Sequence, residues 1–327
     1  MIFTHSDLDG FVSALLAMEI SWQLASSVHV FSYEPDRDTQ WKLLLSQFPI
    51  EPIYFVDISL TPGELEWART KPGILGNPGR QNWIWYDHHE SSWNFNTLGI
   101  FGSVSLVTDG SKCAADLIAE TYTANLDKFG WLGEWVAAAH DRDLWLNEKR
   151  ERGMKLTMIV SEANKRASKN SAGFRDLLTQ VQDGKLSPDE VIHTHSEWWQ
   201  AGWKQYENSC AIAKRTTLRR NVGDLALVLC WVDGQASDVA DTLYQTGDEL
   251  VCMLQHFPKD TVISFRCRRD DVNCAELAKA FGGGGHAHAA GGKLGLSHLA
   301  GGYTEIASHI ALARVGSKVG SKVGSNW

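Results

Sequence analysis

Four short apolar runs open the chain, and three of them stop abruptly at acids and histidines. Met1 to Thr4 breaks into His5-Ser-Asp-Leu-Asp-Gly10, Ile53 to Val56 ends in Asp57-Ile-Ser59, and Trp83 to Tyr86 ends in Asp87-His88-His89. The fourth, Val28 to Tyr33, leads into Glu34-Pro-Asp-Arg-Asp38. Between them lie helical patterns over Phe11 to Leu24 and Trp41 to Phe48, and a helix start at Thr61-Pro62 with Glu64 completing a capping box. Strands that alternate with helices require right-handed crossovers and a parallel sheet. The carboxyl ends of such strands share one rim, where open α/β sheets keep their sites. Topology alone therefore brings Asp and His from three segments to one place. A helix over Trp131 to His140 runs into Asp141-Arg-Asp-Leu-Trp145 and adds a further carboxylate.

After Arg150 the pattern changes. Residues 151–220 carry no strand signal and read as a helical connector, with a helix start at Ser187-Pro-Asp-Glu190 and a tryptophan cluster in Glu197-Trp-Trp-Gln-Ala-Gly-Trp203. Tryptophan at helical spacing is usually core or interface, and a nucleobase platform is the rival reading. A second α/β pattern follows: strand Leu225 to Val232, helix Ser237 to Tyr244, strands Leu250 to Gln255 and Val262 to Arg268, and helix Asn273 to Phe281. Next come Gly282-Gly-Gly-Gly-His286 and a closing helix near Tyr303 to Ala313. The repetitive end from Val315 reads as a mobile tail. The expected layout is α/β: a parallel-sheet catalytic domain (1–150), the connector (151–220), a smaller mixed-sheet domain (221–314) and the tail (315–327).

At 327 residues two domains are the natural expectation, and 43% hydrophobic with 21% charged residues is ordinary for a globular protein. A net charge of −8 argues against coating long nucleic acid through a broad basic face. It leaves room for a small polyanion held by cations. Six cysteines without a C-x-x-C pair suggest reduced, cytoplasmic usage. No leader-like start and no run near 18 apolar residues is present, so no membrane partner is expected.

In an extended stretch alternate side chains point the same way, so His5, Asp7 and Asp9 can converge. Aspartates with histidines and no cysteine make a hard, oxygen-rich set that favours Mn²⁺, with Mg²⁺ as the alternative. More carboxylates than one ion needs suggest two ions roughly 3.5–4 Å apart. Asp57, alone at its strand end, is the candidate bridge. In the C-terminal part, Gly283, Gly284 and Gly285 in a four-glycine run expose backbone N–H groups, and His286 follows at once. Arg266 and Arg268 share one side of the preceding strand and could grip a phosphate.

Together His5-x-Asp-x-Asp-Gly10, Asp57-x-Ser59, Asp87-His88-His89 and Asp141 resemble the ordered motifs of the DHH phosphoesterase family. Ser264-x-Arg266 and Gly282-Gly-Gly-Gly-His286-x-x-Ala-Ala-Gly291 resemble its associated C-terminal domain. The resemblance covers nearly the whole chain apart from the connector and tail. It implies hydrolysis of phosphodiester or phosphoanhydride bonds with two Mn²⁺ ions, and a substrate domain closing over a cleft. By that likeness His5, Asp7 and Asp57 would hold one ion, and Asp9, Asp57, His88 and Asp141 the other. His89 would meet the scissile phosphate, Asp87 would orient the histidines, and Arg266 and His286 would bind substrate phosphate. The sequence Asp141-Arg-Asp143 offers two carboxylates, and Asp141 is preferred because it directly ends the expected helix. RecJ-type exonucleases carry additional nucleic-acid-binding domains that have no counterpart here, whereas nanoRNases are similar in length. Short oligonucleotides are thus the expected substrate. Cyclic or linear dinucleotides, 3′-phosphoadenosine 5′-phosphate, pyrophosphate or polyphosphate, and a non-catalytic nucleotide-binding role are the alternatives. A homodimer is the open option for assembly.

Overall fold

The computed structural model describes residues 1–31, 52–60, 63–64, 83–89, 103–107, 110–122, 127–146, 148–166, 172–245, 249–257, 260–295 and 302–312. The expected helix at Trp41 to Phe48, the Thr61-Pro62 start and the tail after Val315 lie outside them. The chain divides into two compact units, residues 1–202 and 203–327.

In the first unit, strand β1 (Ile2–Thr4) leads into helix α1 (Leu8–Ser21). Asp7 caps that helix by accepting from Gly10 N at 2.9 Å. Gly10 cannot be replaced there, because a Cβ would collide with the His5 carbonyl. Strands β2 (Val28–Val30), β3 (Ile53–Val56), β4 (Trp83–Asp87) and β5 (Ser103–Leu106) complete a five-stranded sheet in the order β2-β1-β3-β4-β5. Every pairing is parallel, as the alternating pattern requires. The chain leaves β1 in one direction for β2 and resumes on its other side with β3. The strand order therefore reverses between β1 and β3, and a ligand site belongs outside those carboxyl ends.

Period-two alternation gives the sheet two buried faces. Met1, Phe3, Ile53, Phe55, Trp83 and Trp85 line one face. Phe3 stacks on Phe55 at 5.2 Å and Phe55 on Trp83 at 5.3 Å, which ties three neighbouring strands into register. Ile2, Tyr54, Val56 and Tyr86 face the helices on the other side. There, α1 is buried along much of its length and is covered by α2 (Ala114–Thr121), α3 (Gly133–Asp143), α4 (Arg150–Arg166) and α5 (Ala172–Gly184), while α6 (Pro188–Thr194) packs on α3 and α4. Of the residues read as a helical connector, 151–220, those up to 202 cluster with the first unit and the rest with the second. Leu156, Ile159, Phe174, Leu177 and Val191 bury their side chains in the core of the first unit. Trp198 and Trp199 pack on that core, in keeping with their reading as core residues.

Helix α7 (Ser196–Thr216) contains the boundary between the units. The second unit is a six-stranded sheet in the order β10-β11-β9-β8-β7-β6. Its strands are β6 (Leu218–Val222), β7 (Leu225–Trp231), β8 (Glu249–His256), β9 (Thr261–Cys267), β10 (Gly284–Gly285) and β11 (Ala289–Leu294). Only β7 and β8 pair in parallel, so the sheet is mixed as expected. Helix α8 (Ala236–Leu243) covers one face, while α9 (Cys274–Lys279) and the helical residues 302–312 cover the other. Strand β6 escaped the sequence reading because Leu218-Arg-Arg-Asn-Val222 alternates poorly and lies at an exposed edge. Among the described residues no helix is long and apolar enough to cross a membrane.

Candidate metal centre

The strand ends converge as the topology demands. His5 Nδ1 lies 2.7 Å from Asp7 Oδ2, and Asp57 joins them in a group whose ligand atoms all lie within 4.8 Å of one another. Asp9, His88 and Asp143 form a second such group, and Asp57, Asp87 and His89 a third. His88 Nε2 stands 3.4 Å from Asp57 Oδ1, 3.3 Å from Asp143 Oδ2 and 3.8 Å from Asp9 Oδ2. Asp57 belongs to two of these clusters and reaches the other through His88. It is buried, and it adopts a left-handed backbone (φ 52°) that aspartate tolerates better than most residues. Asp57 N donates to Tyr86 O at 2.9 Å, which holds that kinked strand end against its neighbour. Completely buried Asp87 holds His89 Nδ1 at 2.6 Å, which fixes the direction of that ring.

Electrostatics at this rim are adverse without a cation. Burial, and then the charges of Asp7, Asp9 and Asp143, push the Asp57 carboxyl well above the usual range. Burial, with Asp9 and Asp7 nearby, pushes Asp143 up to about 7 although His88 opposes the rise. Asp9 is also raised by burial. Burial disfavours the charged imidazole of His88, yet Asp143, Asp9 and Asp87 outweigh it and raise that group. Asp57 Oδ2 and Asp143 Oδ2 are buried without a hydrogen bond, and Asp143 Oδ2 has only the His88 imidazole, at 3.3 Å, to offset its charge. A buried carboxylate oxygen left this way is costly unless a cation answers it. Hard oxygens plus imidazoles, crowded and unsatisfied, fit one or two divalent cations of the Mn²⁺ or Mg²⁺ kind.

One preference from the sequence is corrected here. Helix α3 continues through Asp143, and residues two apart on a helix point to different sides. Asp143 faces His88, whereas the Asp141 carboxylate accepts from Glu148 N at 2.7 Å and Lys149 N at 3.1 Å. Asp141 therefore ties down the loop that follows the helix, and Asp143 supplies the carboxylate at the rim.

In the second unit, strand β9 presents Arg266, whose Nη2 and Nε donate to Ser237 Oγ at 2.6 and 3.2 Å. Its Nη1 donates to Phe265 O and Ala290 O. Arg268 does not share an anion clamp with it, because Arg268 pairs with Asp241 at 2.8 Å and lies over the Tyr244 ring.

This second sheet is also where sequence comparison finds a match: the DHHA1 domain family matches residues 225–302. These residues form a DHHA1 domain. No curated protein matches the chain. Among solved structures, the pGpG-specific phosphodiesterase PggH from Vibrio cholerae is 16% identical, with a TM-score of 0.59 over 95% of this chain and 99% of that one. RecJ in complex with Mn²⁺ from Thermus thermophilus is 14% identical, with a TM-score of 0.58 over 95% of this chain and 51% of that one. The DHH domain of a member of the s1p family of ribosomal proteins is 14% identical, with a TM-score of 0.56 over 95% of this chain and 85% of that one. The likeness in fold to these structures extends over 95% of the chain, both units included.

Within the DHHA1 domain the glycine run is more structural than an open phosphate loop. Gly282 N donates to Lys279 O and Gly283 N to Ala278 O, which closes the end of α9. Gly284 and Gly285 then form β10 and pair with β11. A Cβ on Gly283 would strike the Gly291 carbonyl, and one on Gly285 would lie 2.6 Å from Ala289 O. Gly284 alone of these three faces open space. His286 sits at the tight turn into β11, with its N–H donating to Ala289 O at 2.7 Å, and His288 Nδ1 meets Cys267 O at 2.9 Å.

Sequence reasoning missed the amino end of α2. Ala114 N and Ala115 N donate to Asp9 at 2.8 and 2.9 Å, across more than a hundred residues of chain. The signal available was Asp116, three residues after Cys113 in a capping-box spacing. Cysteine is an uncommon cap and hid it.

Proposed function

We propose that the protein is a divalent-metal-dependent phosphoesterase that hydrolyses short oligonucleotides to mononucleotides, with Mn²⁺ as its ion. The observation that carries this reading is the buried Asp57 Oδ2, left without a hydrogen bond inside a ring of acids and imidazoles at the sheet's switch point. In this reading His5, Asp7 and Asp57 would hold one ion, and Asp9, Asp57, His88 and Asp143 would hold the other. Two such ions would neutralise charge on a phosphate and would acidify water for attack on it near neutral pH.

The chain's own residues do the rest. Asp57 divides its carboxylate between the two groups, which its central position favours. Asp87 fixes the tautomer and direction of His89, so that Nε2 can donate to a non-bridging phosphate oxygen. The anchored guanidinium of Arg266 and the turn of Gly283, Gly284, Gly285 and His286 are the substrate-phosphate contacts of the DHHA1 domain. A net charge of −8 suits a short substrate better than a long polyanion.

A second reading, hydrolysis of a linear dinucleotide such as pGpG, is favoured by the likeness in fold to PggH along almost the full length of both chains. Both readings are tested by one panel, run with Mn²⁺, Mg²⁺ or chelator. It comprises RNA and DNA of two to five residues, pGpG, a cyclic dinucleotide, 3′-phosphoadenosine 5′-phosphate and pyrophosphate. Release of mononucleotides from several short RNAs supports the first reading, and cleavage confined to pGpG supports the second. Turnover of pyrophosphate alone removes both.

A further inference from the structure

The amino end of α2 does more than receive Asp9. Asp116, in its first turn, accepts from Cys113 N at 2.9 Å through Oδ2, and the same oxygen lies 2.6 Å from His140 Nδ1. His140 sits on α3, three residues before Asp143 and thus one turn away on a neighbouring face. Two candidate ligands from distant parts of the sequence therefore meet through one pair of helix ends. Asp9 is gripped by Ala114 N and Ala115 N, and the next residue, Asp116, grips the helix that carries Asp143. Charge-assisted hydrogen bonds of this length are among the stronger ones, and this one is only partly exposed.

We propose that Asp116 and His140 are a positioning pair, which clamps α3 against α2 and so sets the spacing of Asp143 and Asp9 for the ion they share with His88. The proposal rests on the metal reading above and adds to it two residues outside the ligand set. His140 does not need to touch substrate or metal. Its Nδ1–H orients the helix end, and the ligand geometry follows. Cation affinity depends steeply on such geometry, with outer partners typically contributing tenfold to a hundredfold. The effect falls on one of the two sites, because the other is held, beside the shared Asp57, by His5 and Asp7, which follow β1 and stand apart from the Asp116–His140 contact.

The test is Mn²⁺ titration of the full chain by calorimetry, for the wild type, His140→Ala, Asp116→Asn, the double variant and His140→Asn, with melting in chelator as the control for folding. Wild type should take two equivalents. His140→Ala and Asp116→Asn should each weaken one equivalent by about tenfold and leave the other unchanged. The double variant should be no worse than the more affected single one. His140→Asn, whose amide nitrogen can stand in for Nδ1, should recover most of the loss, which a mere change in stability would not do. If His140→Ala fails to fold, Asp116→Asn and His140→Asn carry the comparison. A wild type that binds two ions with a His140→Ala that matches it within twofold overturns the clamp alone. A wild type that takes up no Mn²⁺ overturns the metal reading, and the clamp with it.

Discussion

At the rim of the parallel sheet, Asp57 Oδ2 and Asp143 Oδ2 are buried without a hydrogen bond. In the DHHA1 domain, by contrast, Arg266 has a partner for each of its three nitrogens, and the glycine run uses Gly282 N and Gly283 N to close a helix. Both regions stand out in the sequence for the same reason, an unusual concentration of chemically versatile residues. They differ in what folding leaves undone. Residue type marks a candidate site, and unmet electrostatic demand identifies one that is waiting for a ligand.

The largest effect should come from Asp57. Asp57→Asn preserves a residue that tolerates the left-handed backbone but removes the central charge. Turnover should fall by more than about a hundredfold, since even outer partners at metal sites are worth tenfold to a hundredfold. At the same time the metal-free protein should melt higher, because a like charge has left a buried cluster. Turnover assays and melting curves in chelator give both readings. An Asp57→Asn variant that keeps its activity would remove this residue from the centre of the site.

A titration sharpens the same contrast. The carboxyls of Asp9, Asp57 and Asp143 are raised in the folded state, so the unfolded chain releases those protons first. Their contribution to stability is complete below the unfolded value near 4 and is lost as pH climbs through the folded values, about 7 for Asp143. Metal-free protein should therefore melt lower at pH 8 than at pH 5, by roughly 5 °C for the first unit. Saturating Mn²⁺ should flatten the trend, as the ion replaces the proton. A chelated sample whose melting temperature is level or rising over this range would count against an electrostatically frustrated rim.

Asp143 and Asp141 make the comparison within two residues. Asp143→Asn should lose Mn²⁺ affinity and most turnover while melting no lower in chelator. Asp141→Asn leaves Glu148 N or Lys149 N poorly answered and should cost about 1–2 kcal/mol of stability, with turnover within a few-fold of wild type. Reversal of the two phenotypes would restore Asp141 as the ligand.

That pair also shows where the sequence was legible and where it was not. The parallel sheet, the rim and His5, Asp7, Asp9, Asp57, Asp87, His88 and His89 follow from strand periodicity and from acids placed at strand ends, both of which are local signals. Choosing between Asp141 and Asp143 needs the phase of a helix, and ending it at His140 rather than Asp143, three residues early, picks the wrong side chain. The clamp from Asp116 to His140 and the grip of α2 on Asp9 join segments far apart in sequence, so no local pattern could reveal them. Strand β5 and helix α2 escaped because Ser103-Val-Ser-Leu106 is short and Cys113 is a poor cap signal. The glycine run was legible as unusual but not as structural. Only the pairing of β10 with β11 shows which glycines are there for want of room.

The smallest effect separates those glycines. Gly283→Ala drives a methyl group into the Gly291 carbonyl and should destabilise the DHHA1 domain by about 1–3 kcal/mol, the usual scale of overpacking. In calorimetry of the full chain the transition of the second unit should move down while that of the first stays put. Gly284→Ala meets nothing within 4 Å, so stability should change by less than about 1 kcal/mol. If this turn contacts substrate phosphate, the added methyl stands where the ligand approaches, and KM should rise with kcat nearly unchanged. A Gly284→Ala variant with wild-type KM would leave the turn a purely structural device, and Arg266 would then be the contact to test next.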